Sequence, residues 1–245
     1  MSLKSLIRYI IYRVKYFGSQ RYCVVCNRKS KEFMRYGVES RQDAACPFCN
    51  SVERDRLNLI FLHEQTNLFD GQPKRLLHVA PESAFKKIFS KAVGEGYLTA
   101  DLMAEDVMEK MDITNIQHPD ESFDIIYCSH VLEHVPDDRR AMREFYRCLS
   151  QDGWAVINVP ITAEKTFEDP SITSREERLR LFGQTDHVRR YGPDYKDRLI
   201  DAGFHVAVFS PQDLLSSSEI EYYGLKNPEA YEVYFCTKER VGSRK

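Results

Sequence analysis

Residues 122–135 read SFDIIYCSHVLEHV, and no other segment says as much about the fold. Residues 123–129 form a nearly continuous apolar run of the length of one β-strand. Such a run is expected where both faces of a parallel sheet are covered. His130, Glu133 and His134 follow directly, so titratable side chains lie where this strand ends. The segment predicts a buried central strand with a functional loop after it.

Apolar, β-rich segments alternate with amphipathic segments on both sides of this strand. The predicted strands are residues 75–80, 97–102, 108–111, 123–129, 154–160, 204–209 and 232–238. The predicted helices are residues 83–93, 137–149 and 191–202, and Asp152-Gly153 is expected to stop the second of them. This alternation predicts an α/β sandwich with a mostly parallel sheet.

The cysteines form two groups. Cys23 with Cys26 and Cys46 with Cys49 make two Cys-x-x-Cys pairs that 19 residues separate. The single cysteines are Cys128, Cys148 and Cys236. Paired spacing of this kind is typical of zinc ribbons, and four thiolates would close the coordination of a structural zinc ion. The alternatives are two pairs without metal, or one redox dithiol. The odd cysteine count favours reduced thiols and a cytoplasmic location.

Charge is distributed unevenly along a chain whose formal net charge is -2. Residues 1–57 hold 12 Lys/Arg and 5 Asp/Glu, a balance of +7, and the remainder has a balance of -9. Such a basic N-terminal part either binds an anionic partner such as nucleic acid or forms a solvated face.

Residues 1–17, MSLKSLIRYIIYRVKYF, are predicted to form a basic amphipathic helix. No apolar run approaches the roughly 20 residues that span a bilayer, and no signal-peptide cleavage pattern is present. Such a helix docks on its own protein or lies on a membrane surface, so peripheral membrane contact is one alternative.

Several segments occur in an order that is informative as a whole. They are LLHVA (76–80), Asp101 at the end of the second strand, MDI (111–113), SFDIIYCSHVLEHV (122–135) and RCLSQDGWAV (147–156). Together they resemble the type 11 methyltransferase domain of class I S-adenosylmethionine (SAM)-dependent methyltransferases. The resemblance implies a Rossmann-like three-layer sandwich with a mostly parallel seven-stranded sheet. The expected organisation is a basic helix (1–18), a zinc-ribbon-like module (19–57) and a methyltransferase domain (58–245).

The resemblance also implies a SAM site at the ends of the strands, with Asp101 on the ribose and Asp112 near the adenine amino group. The implied cofactor-binding residues are His78, Ala80, Glu82, Asp101, Leu102, Asp112, Ile113, Ser129 and His130. One departure is that residues 78–83, HVAPES, lack the glycines that let the backbone approach a ligand closely. Glu82 is expected to meet the ammonium group of SAM. The alternative is a degenerate fold that no longer binds SAM.

Residues 182–195, FGQTDHVRRYGPDY, crowd polar and aromatic groups between the fifth strand and the next helix. The candidate catalytic residues are His187, Asp186 as its support, and His134. Histidine suits proton transfer because its pKa lies near neutral pH. The candidate acceptor-binding residues are Glu133, Arg189 and Tyr191. The alternative is a loop with incidental charges before a helix.

The sequence therefore predicts a SAM-dependent methyltransferase that acts on a hydroxyl or amine of a small molecule or glycan. One alternative is an RNA- or protein-directed methyltransferase that uses the basic zinc module as its reader. Aromatic residues interleaved with basic ones would favour that reading. Tyr22, Phe33, Tyr36 and Phe48 supply some of them. The other alternative is a non-catalytic SAM-fold binding protein.

Overall fold

The computed structural model describes residues 11–37, 40–226 and 232–238. The chain divides into two compact units, which we call the cysteine unit and the sheet unit. The cysteine unit comprises residues 1–70, 83–88 and 209–232, and the sheet unit comprises residues 71–82, 89–208 and 233–245. Helix Glu53–Gln65 passes through residue 57, where the sequence analysis placed a boundary.

A seven-stranded sheet carries the sheet unit. Its strands are β1 (Leu76–Val79), β2 (Tyr97–Asp101), β3 (Glu109–Lys110), β4 (Phe123–Ser129), β5 (Leu149–Asn158), β6 (His205–Phe209) and β7 (Val233–Thr237). The spatial order is β3-β2-β1-β4-β5-β7-β6. The pairs from β3 to β5 are parallel, and β7 is antiparallel to β5. This order confirms the predicted Rossmann-like class I methyltransferase fold.

The central strand β4 is buried along its apolar run. Ile125, Ile126, Tyr127 and Cys128 are each at most 1% exposed. Consecutive residues of a strand point to opposite faces, so their joint burial means that both faces of the sheet are covered here. The interpretation of residues 123–129 as a buried central strand is confirmed.

The remaining helices of eight or more residues are Ser83–Val93, Asp138–Cys148 and Arg175–Phe182. Helix Asp138–Cys148 begins after Asp137, whose carboxylate accepts the backbone N–H of Arg140 at 2.9 Å. This cap satisfies one of the N–H groups that a helix start leaves without a partner. Asp152-Gly153 does not stop this helix, because Leu149 already pairs with Phe123 in the sheet.

The helix predicted over residues 191–202 is shorter than expected and spans Tyr195–Asp201. Tyr191 forms a parallel bridge with Ile161 instead. Pro193 disfavours helical backbone at the residue before it, so the helix begins only after the proline.

The cysteine unit contains two short antiparallel hairpins. Arg21–Cys23 pairs with Arg28–Ser30, and Met34–Tyr36 pairs with Arg41–Ala45. Its helices of known bounds are Glu53–Gln65, Pro211–Leu214 and Ser217–Tyr222.

Arg56 lies buried at the centre of the cysteine unit. It donates hydrogen bonds to the carbonyls of Ser51 (3.0 Å), Tyr223 (2.7 Å) and Gly224 (3.1 Å). Its guanidinium also lies 4.1 Å from the centre of the Phe33 ring. Burial lowers the pKa of Arg56, and the bonds to carbonyls compensate for the lost hydration. One side chain thereby joins the segment after the cysteines to the distant segment near residue 224.

Residues 11–15 are helical, and the first ten residues of the predicted basic helix lie outside the described residues. Within the described ranges, no helix has both the length and the apolar character needed to cross a bilayer. Contact of residues 1–17 with a membrane surface stays a prediction.

Candidate functional site

A cavity of about 510 Å³ lies at the carboxyl ends of β1, β2 and β4. Parallel α/β sheets bind ligands at this edge, at the point where the strand order reverses, which is here between β1 and β4. The volume falls in the range of cofactor sites. The predicted residues that line the cavity are Ala80, Asp101, Leu102, Asp112, Ile113 and His134.

Asp101 is the last residue of β2 and orders the turn that follows. Its Oδ1 accepts the backbone N–H groups of Met103 at 2.6 Å and Ala104 at 2.7 Å. Both bonds use Oδ1, and Asp101 lines the cavity. Leu102 and Met103 are 61% and 78% exposed at the cavity and offer apolar surface beside the carboxylate.

Asp112 is fixed in a similar way after β3. Its Oδ1 accepts the backbone N–H and the hydroxyl of Thr114, each at 2.8 Å. These hydrogen bonds lower the pKa of Asp112, so the side chain is a carboxylate at neutral pH. The cavity therefore offers two acceptor groups and apolar walls, which suits a nucleoside.

Ala80 takes the place of a glycine in the loop after β1. Its φ is +45°, in the left-handed region, and its N–H donates to the carbonyl of Ala100 at 2.8 Å. His130, the first residue after β4, also has a positive φ of +58°. Such strain clusters at functional sites. The glycine-free loop thus keeps a backbone conformation that glycine would adopt readily.

Four of the predicted cofactor residues do not line the cavity: His78, Glu82, Ser129 and His130. His78 is fully buried, with Nδ1 2.9 Å from the Tyr97 hydroxyl and Nε2 2.7 Å from Glu82 Oε2. Glu82 therefore has a partner inside the protein, which differs from its expected contact with SAM.

The loop after β4 and the segment around residue 187 meet at one end of the cavity. The rings of His134 and His187 lie edge to face, with centroids 4.7 Å apart. The N–H of Val188 donates to the carbonyl of Glu133 at 2.9 Å. Both segments were predicted to be functional, and the structure brings their side chains into contact.

The expected pairing of Asp186 with His187 is not what the structure has. Asp186 Oδ2 lies 3.3 Å from Nδ1 of His134, whereas Nδ1 of His187 donates to the Phe182 carbonyl at 3.3 Å. His187 is 6% exposed, and burial lowers its pKa. Asp186 therefore orients His134, and a backbone carbonyl orients His187.

Glu133 is 2% exposed, and its Oε1 lies 3.4 Å from Nδ1 of His130. Burial opposes ionisation of this carboxyl, but the hydrogen bond and charge of His130 lower the pKa of Glu133 overall. Its Oε2 is buried and has no hydrogen-bond partner among the described residues.

Arg189 was expected to contact the acceptor but lies buried beneath the loop after β4. It donates to the carbonyls of Leu132 (2.7 Å) and Pro136 (2.8 Å) and pairs with Glu168 at 2.8 Å. Because its donors are used on the segment that contains His134, Arg189 positions the cavity wall and does not face the cavity.

Tyr191 is also fully buried, which differs from the expected contact with the acceptor. Its hydroxyl donates to Asp138 Oδ2 at 2.6 Å, and Arg198 pairs with the same oxygen at 2.9 Å. Arg198 also pairs with Glu168 at 2.7 Å. Burial favours the neutral form of Glu168, but the hydrogen bonds of Arg198 and Arg189 lower its pKa to about 2.

Glu168 and Arg198 were not predicted as functional residues, and Asp138 was not singled out within the helix predicted over residues 137–149. Glu168 lies opposite Arg189 in a two-residue antiparallel pair. Tyr191 and Asp138 are 53 positions apart. No local pattern marks such contacts, so only the folded chain reveals the network.

The four paired cysteines converge in the cysteine unit. One sulfur from each lies within 4.8 Å of the others, with Cys23 and Cys49 3.6 Å apart and Cys26 and Cys46 3.7 Å apart. Four sulfurs at ~2.3 Å from a tetrahedral zinc ion would be about 3.8 Å apart. Hydrogen bonds from Cys26 and the other thiols lower the pKa of Cys23. The donor set and its spacing fit a tetrahedral ion.

The backbone around the two pairs is alike. Asn27 and Asn50, each directly after the second cysteine of its pair, have φ values of +56° and +60°. The N–H of Phe48 donates to the sulfur of Cys46 at 3.5 Å. Asparagine tolerates the left-handed conformation, which turns the chain so that both sulfurs of a pair face one point.

Several basic residues near the cysteines have partners within the same unit. Arg21 pairs with Asp43 at 2.6 Å, and Arg41 pairs with Glu53 at 3.3 Å. These pairs reduce the positive charge that is free for an anionic partner.

Comparison with known proteins finds similarity over part of the chain, most of it in the sheet unit. Residues 68–157 match the family described as a methyltransferase domain. A 75-residue stretch is 35% identical to the uncharacterized methyltransferase YcgJ of Bacillus subtilis, and it covers 31% of this chain and 28% of that protein.

Solved structures with similarity include two SAM-dependent methyltransferases. The one from Mesorhizobium loti has a TM-score of 0.48 at 17% identity, covering 68% of this chain and 91% of the other. The one from Archaeoglobus fulgidus has a TM-score of 0.47 at 17% identity, covering 74% and 93%. The methyltransferase-domain match covers β1, β2, β3 and β4, whose ends form the cavity.

Proposed function

We propose that this protein is a SAM-dependent methyltransferase that acts on a hydroxyl or amine of a small molecule or glycan. The observation that carries the proposal is the cavity at the switch point of the sheet, with Asp101 and Asp112 on its wall. The methyltransferase-domain match over the same strands supports it.

The described residues fit the parts of SAM. The carboxylate of Asp101 would accept hydrogen bonds from the ribose hydroxyls, and Asp112 would accept one from the adenine amino group. Leu102, Met103 and Ile113 supply the apolar surface against which a base packs. Bound SAM would supply a methyl group on a sulfonium, which is already an excellent leaving group.

Because the leaving group needs little help, the task of the chain is to align the acceptor with the methyl carbon. We assign the acceptor side to Glu133, His134 and His187, because His134 lines the cavity and the other two lie against it. These groups orient the acceptor or take its proton. Arg189 and Tyr191 hold this wall in place from behind.

We also propose that Cys23, Cys26, Cys46 and Cys49 bind a structural zinc ion. A site with four protein ligands has no open coordination position, so the ion would stabilise the cysteine unit and take no part in the chemistry.

The proposed activity is tested by incubating the full-length protein with SAM and fractions of small hydroxylated and amine-containing compounds or glycans, and by measuring S-adenosylhomocysteine. We expect acceptor-dependent product in the wild type and a large loss in Asp101→Ala. The matched control is Asp201→Ala, which changes an exposed aspartate outside the cavity. Equal turnover in the wild type and Asp101→Ala would contradict the proposed site.

The proposed zinc site is tested by elemental analysis of freshly purified protein. We expect one zinc ion per chain, and its loss in Cys46→Ser. Cys148→Ser serves as the control, since that buried cysteine lies in the sheet unit. Zinc at full stoichiometry in Cys46→Ser would contradict the assignment.

A further inference from the structure

Glu133, His134 and His187 bring one carboxylate and two imidazoles together beside the cavity. One carboxylate oxygen and one ring nitrogen of each histidine all lie within 4.8 Å of one another. We propose that this cluster binds a divalent transition-metal ion that holds the methyl acceptor. Imidazole and carboxylate ligands suit zinc, cobalt, iron and manganese. The inference deepens the proposed function and rests on it.

The first supporting observation is the carboxylate of Glu133. It is 2% exposed, and its Oε2 has no hydrogen-bond partner within the described part of the chain. A buried carboxylate oxygen without a partner is costly. A cation held between Glu133 and the two histidines would remove this cost.

The second observation concerns the hydrogen-bond partners of the Nδ1 atoms of the two imidazoles. Nδ1 of His134 lies 3.3 Å from Asp186, and Nδ1 of His187 donates to the Phe182 carbonyl at 3.3 Å. Metal-binding histidines almost always engage their second nitrogen with a carboxylate or a carbonyl in this manner. The arrangement leaves Nε2 of each ring for the ion.

The third observation is the position of the cluster. His134 lines the cavity, so an ion on its ring lies next to the space for SAM and acceptor. Three protein ligands leave coordination positions open, in contrast to four cysteines. An open position can take a hydroxyl, fix its direction and lower its pKa.

The chemistry balances without a further reactant. The bond from the acceptor oxygen to the methyl carbon forms while the bond from sulfur to that carbon breaks. The sulfonium becomes the neutral thioether of S-adenosylhomocysteine, and the hydroxyl proton passes to water. With an ion in place, the two histidines orient the acceptor through the metal and do not accept its proton.

The test uses full-length protein that holds one zinc ion per chain, so that only the cysteine site is filled, dialysed against Co²⁺ alone, followed by elemental analysis and visible absorption spectroscopy. We expect the wild type to bind one cobalt ion per chain in addition to its zinc, without the intense near-ultraviolet absorption of cobalt–thiolate bonds. His187→Ala and His134→Ala should each weaken cobalt binding by at least about tenfold. Loss of only the hydrogen-bond partner of a metal-binding histidine already weakens metal affinity roughly 10–100-fold.

The matched control is His118→Ala, which removes another histidine beside a carboxylate, 3.0 Å from Glu109, away from the cluster. It should bind cobalt like the wild type. Retention of zinc and of SAM binding shows that a variant is folded, and His134 is partly exposed, so its replacement remains usable if His187→Ala does not fold.

No cobalt on the wild type, or unchanged cobalt affinity in His134→Ala, would overturn the inference. SAM binding without cobalt binding would leave the proposed function standing and the metal site wrong. Cobalt binding without SAM binding would support the metal site and contradict the proposed function.

Discussion

The two walls of the cavity are built in different ways. The cofactor wall, formed by Ala80, Asp101 and Asp112, consists of residues at strand ends that are held by bonds to their own loops. The wall that we assign to the acceptor, here the acceptor wall, consists of His134 at the cavity with Glu133 and His187 packed against it, from two segments more than 50 positions apart in the chain. Its shape depends on a buried ion network behind it.

Because of this difference, replacements on the two walls should change different quantities, ligand affinity on one and stability of the fold at the other. On the cofactor wall the aspartates bond only to the turns directly after them, so their replacement affects the local turn and reports mainly on ligand affinity. Behind the acceptor wall, Arg189 and Tyr191 have buried partners that would be left without hydrogen bonds if either side chain were removed. Replacement of Arg189 or Tyr191 should therefore lower the free energy of unfolding of the sheet unit.

Arg189→Met should have the largest effect. It leaves Glu168 with one arginine instead of two and frees the carbonyls of Leu132 and Pro136, which are held from inside the protein. Each buried acceptor that loses its donor, such as the carbonyl of Leu132, costs about 1–3 kcal/mol of unfolding free energy. Denaturant titration measures it.

The matched control for that variant is Arg139→Met, which removes an exposed arginine paired with Asp201 at 2.8 Å. Exposed pairs contribute about 0–1 kcal/mol, so this variant should remain close to the wild type. Equal loss in the two variants would mean that Arg189 does not support the acceptor wall.

Asp101→Ala should have the next largest effect, on affinity. Losing charge-assisted hydrogen bonds to the ribose should weaken SAM binding by about 1–3 kcal/mol. Calorimetric titration measures it, and cobalt binding at the acceptor wall should stay unchanged. SAM affinity equal to that of the wild type in a folded variant would place the cofactor elsewhere.

Glu168→Gln should have a smaller, pH-dependent effect. Burial opposes ionisation of Glu168, but the hydrogen bonds of Arg198 and Arg189 lower its pKa to about 2. The ion pairs of Glu168 therefore stabilise the fold fully above about pH 4.5. The contribution is lost as pH falls toward 2. The side chain is 37% exposed, so solvent screening keeps the contribution to about 1 kcal/mol or less.

Denaturant titrations of the wild type and Glu168→Gln at pH 7 and pH 3 test this. The difference in unfolding free energy should shrink at the lower pH. A difference that grows on acidification would contradict the assigned ion pairs.

Ala80→Gly should have the smallest effect. A left-handed backbone costs a non-glycine residue about 1–2 kcal/mol, and the freedom of glycine in the unfolded chain costs about 0.4–1 kcal/mol. The variant should therefore be as stable as the wild type or slightly more stable. Ala100→Gly, within β2, is the control and should be destabilised. Equal destabilisation at both positions would argue against the strained loop.

More of the cofactor wall than of the acceptor wall could be predicted from the sequence, and the reason is physical. Asp101 and Asp112 were singled out by the methyltransferase resemblance, and both lie close to the carboxyl ends of predicted strands. Likewise, each Cys-x-x-Cys pair is a local pattern, and the turn that orients its sulfurs lies within or directly after the pair. Asp138 and Tyr191 contact each other only because two distant segments fold together. The sequence around either residue does not indicate its partner.

The left-handed Ala80 could not be predicted either, because glycine is the residue that usually signals such a backbone. Glu82 and His78 were placed by resemblance, and the structure pairs them with each other. Local signals thus predicted the sheet and the cysteine cluster. Contacts between distant parts of the chain bring His187 against His134 at the cavity.

Titration of the zinc-loaded, full-length protein with SAM in a calorimeter tests the central claim most directly. The account predicts one SAM molecule per chain in the wild type, with affinity weakened roughly 5–150-fold in Asp101→Ala. Absence of SAM binding by the folded wild-type protein would contradict it.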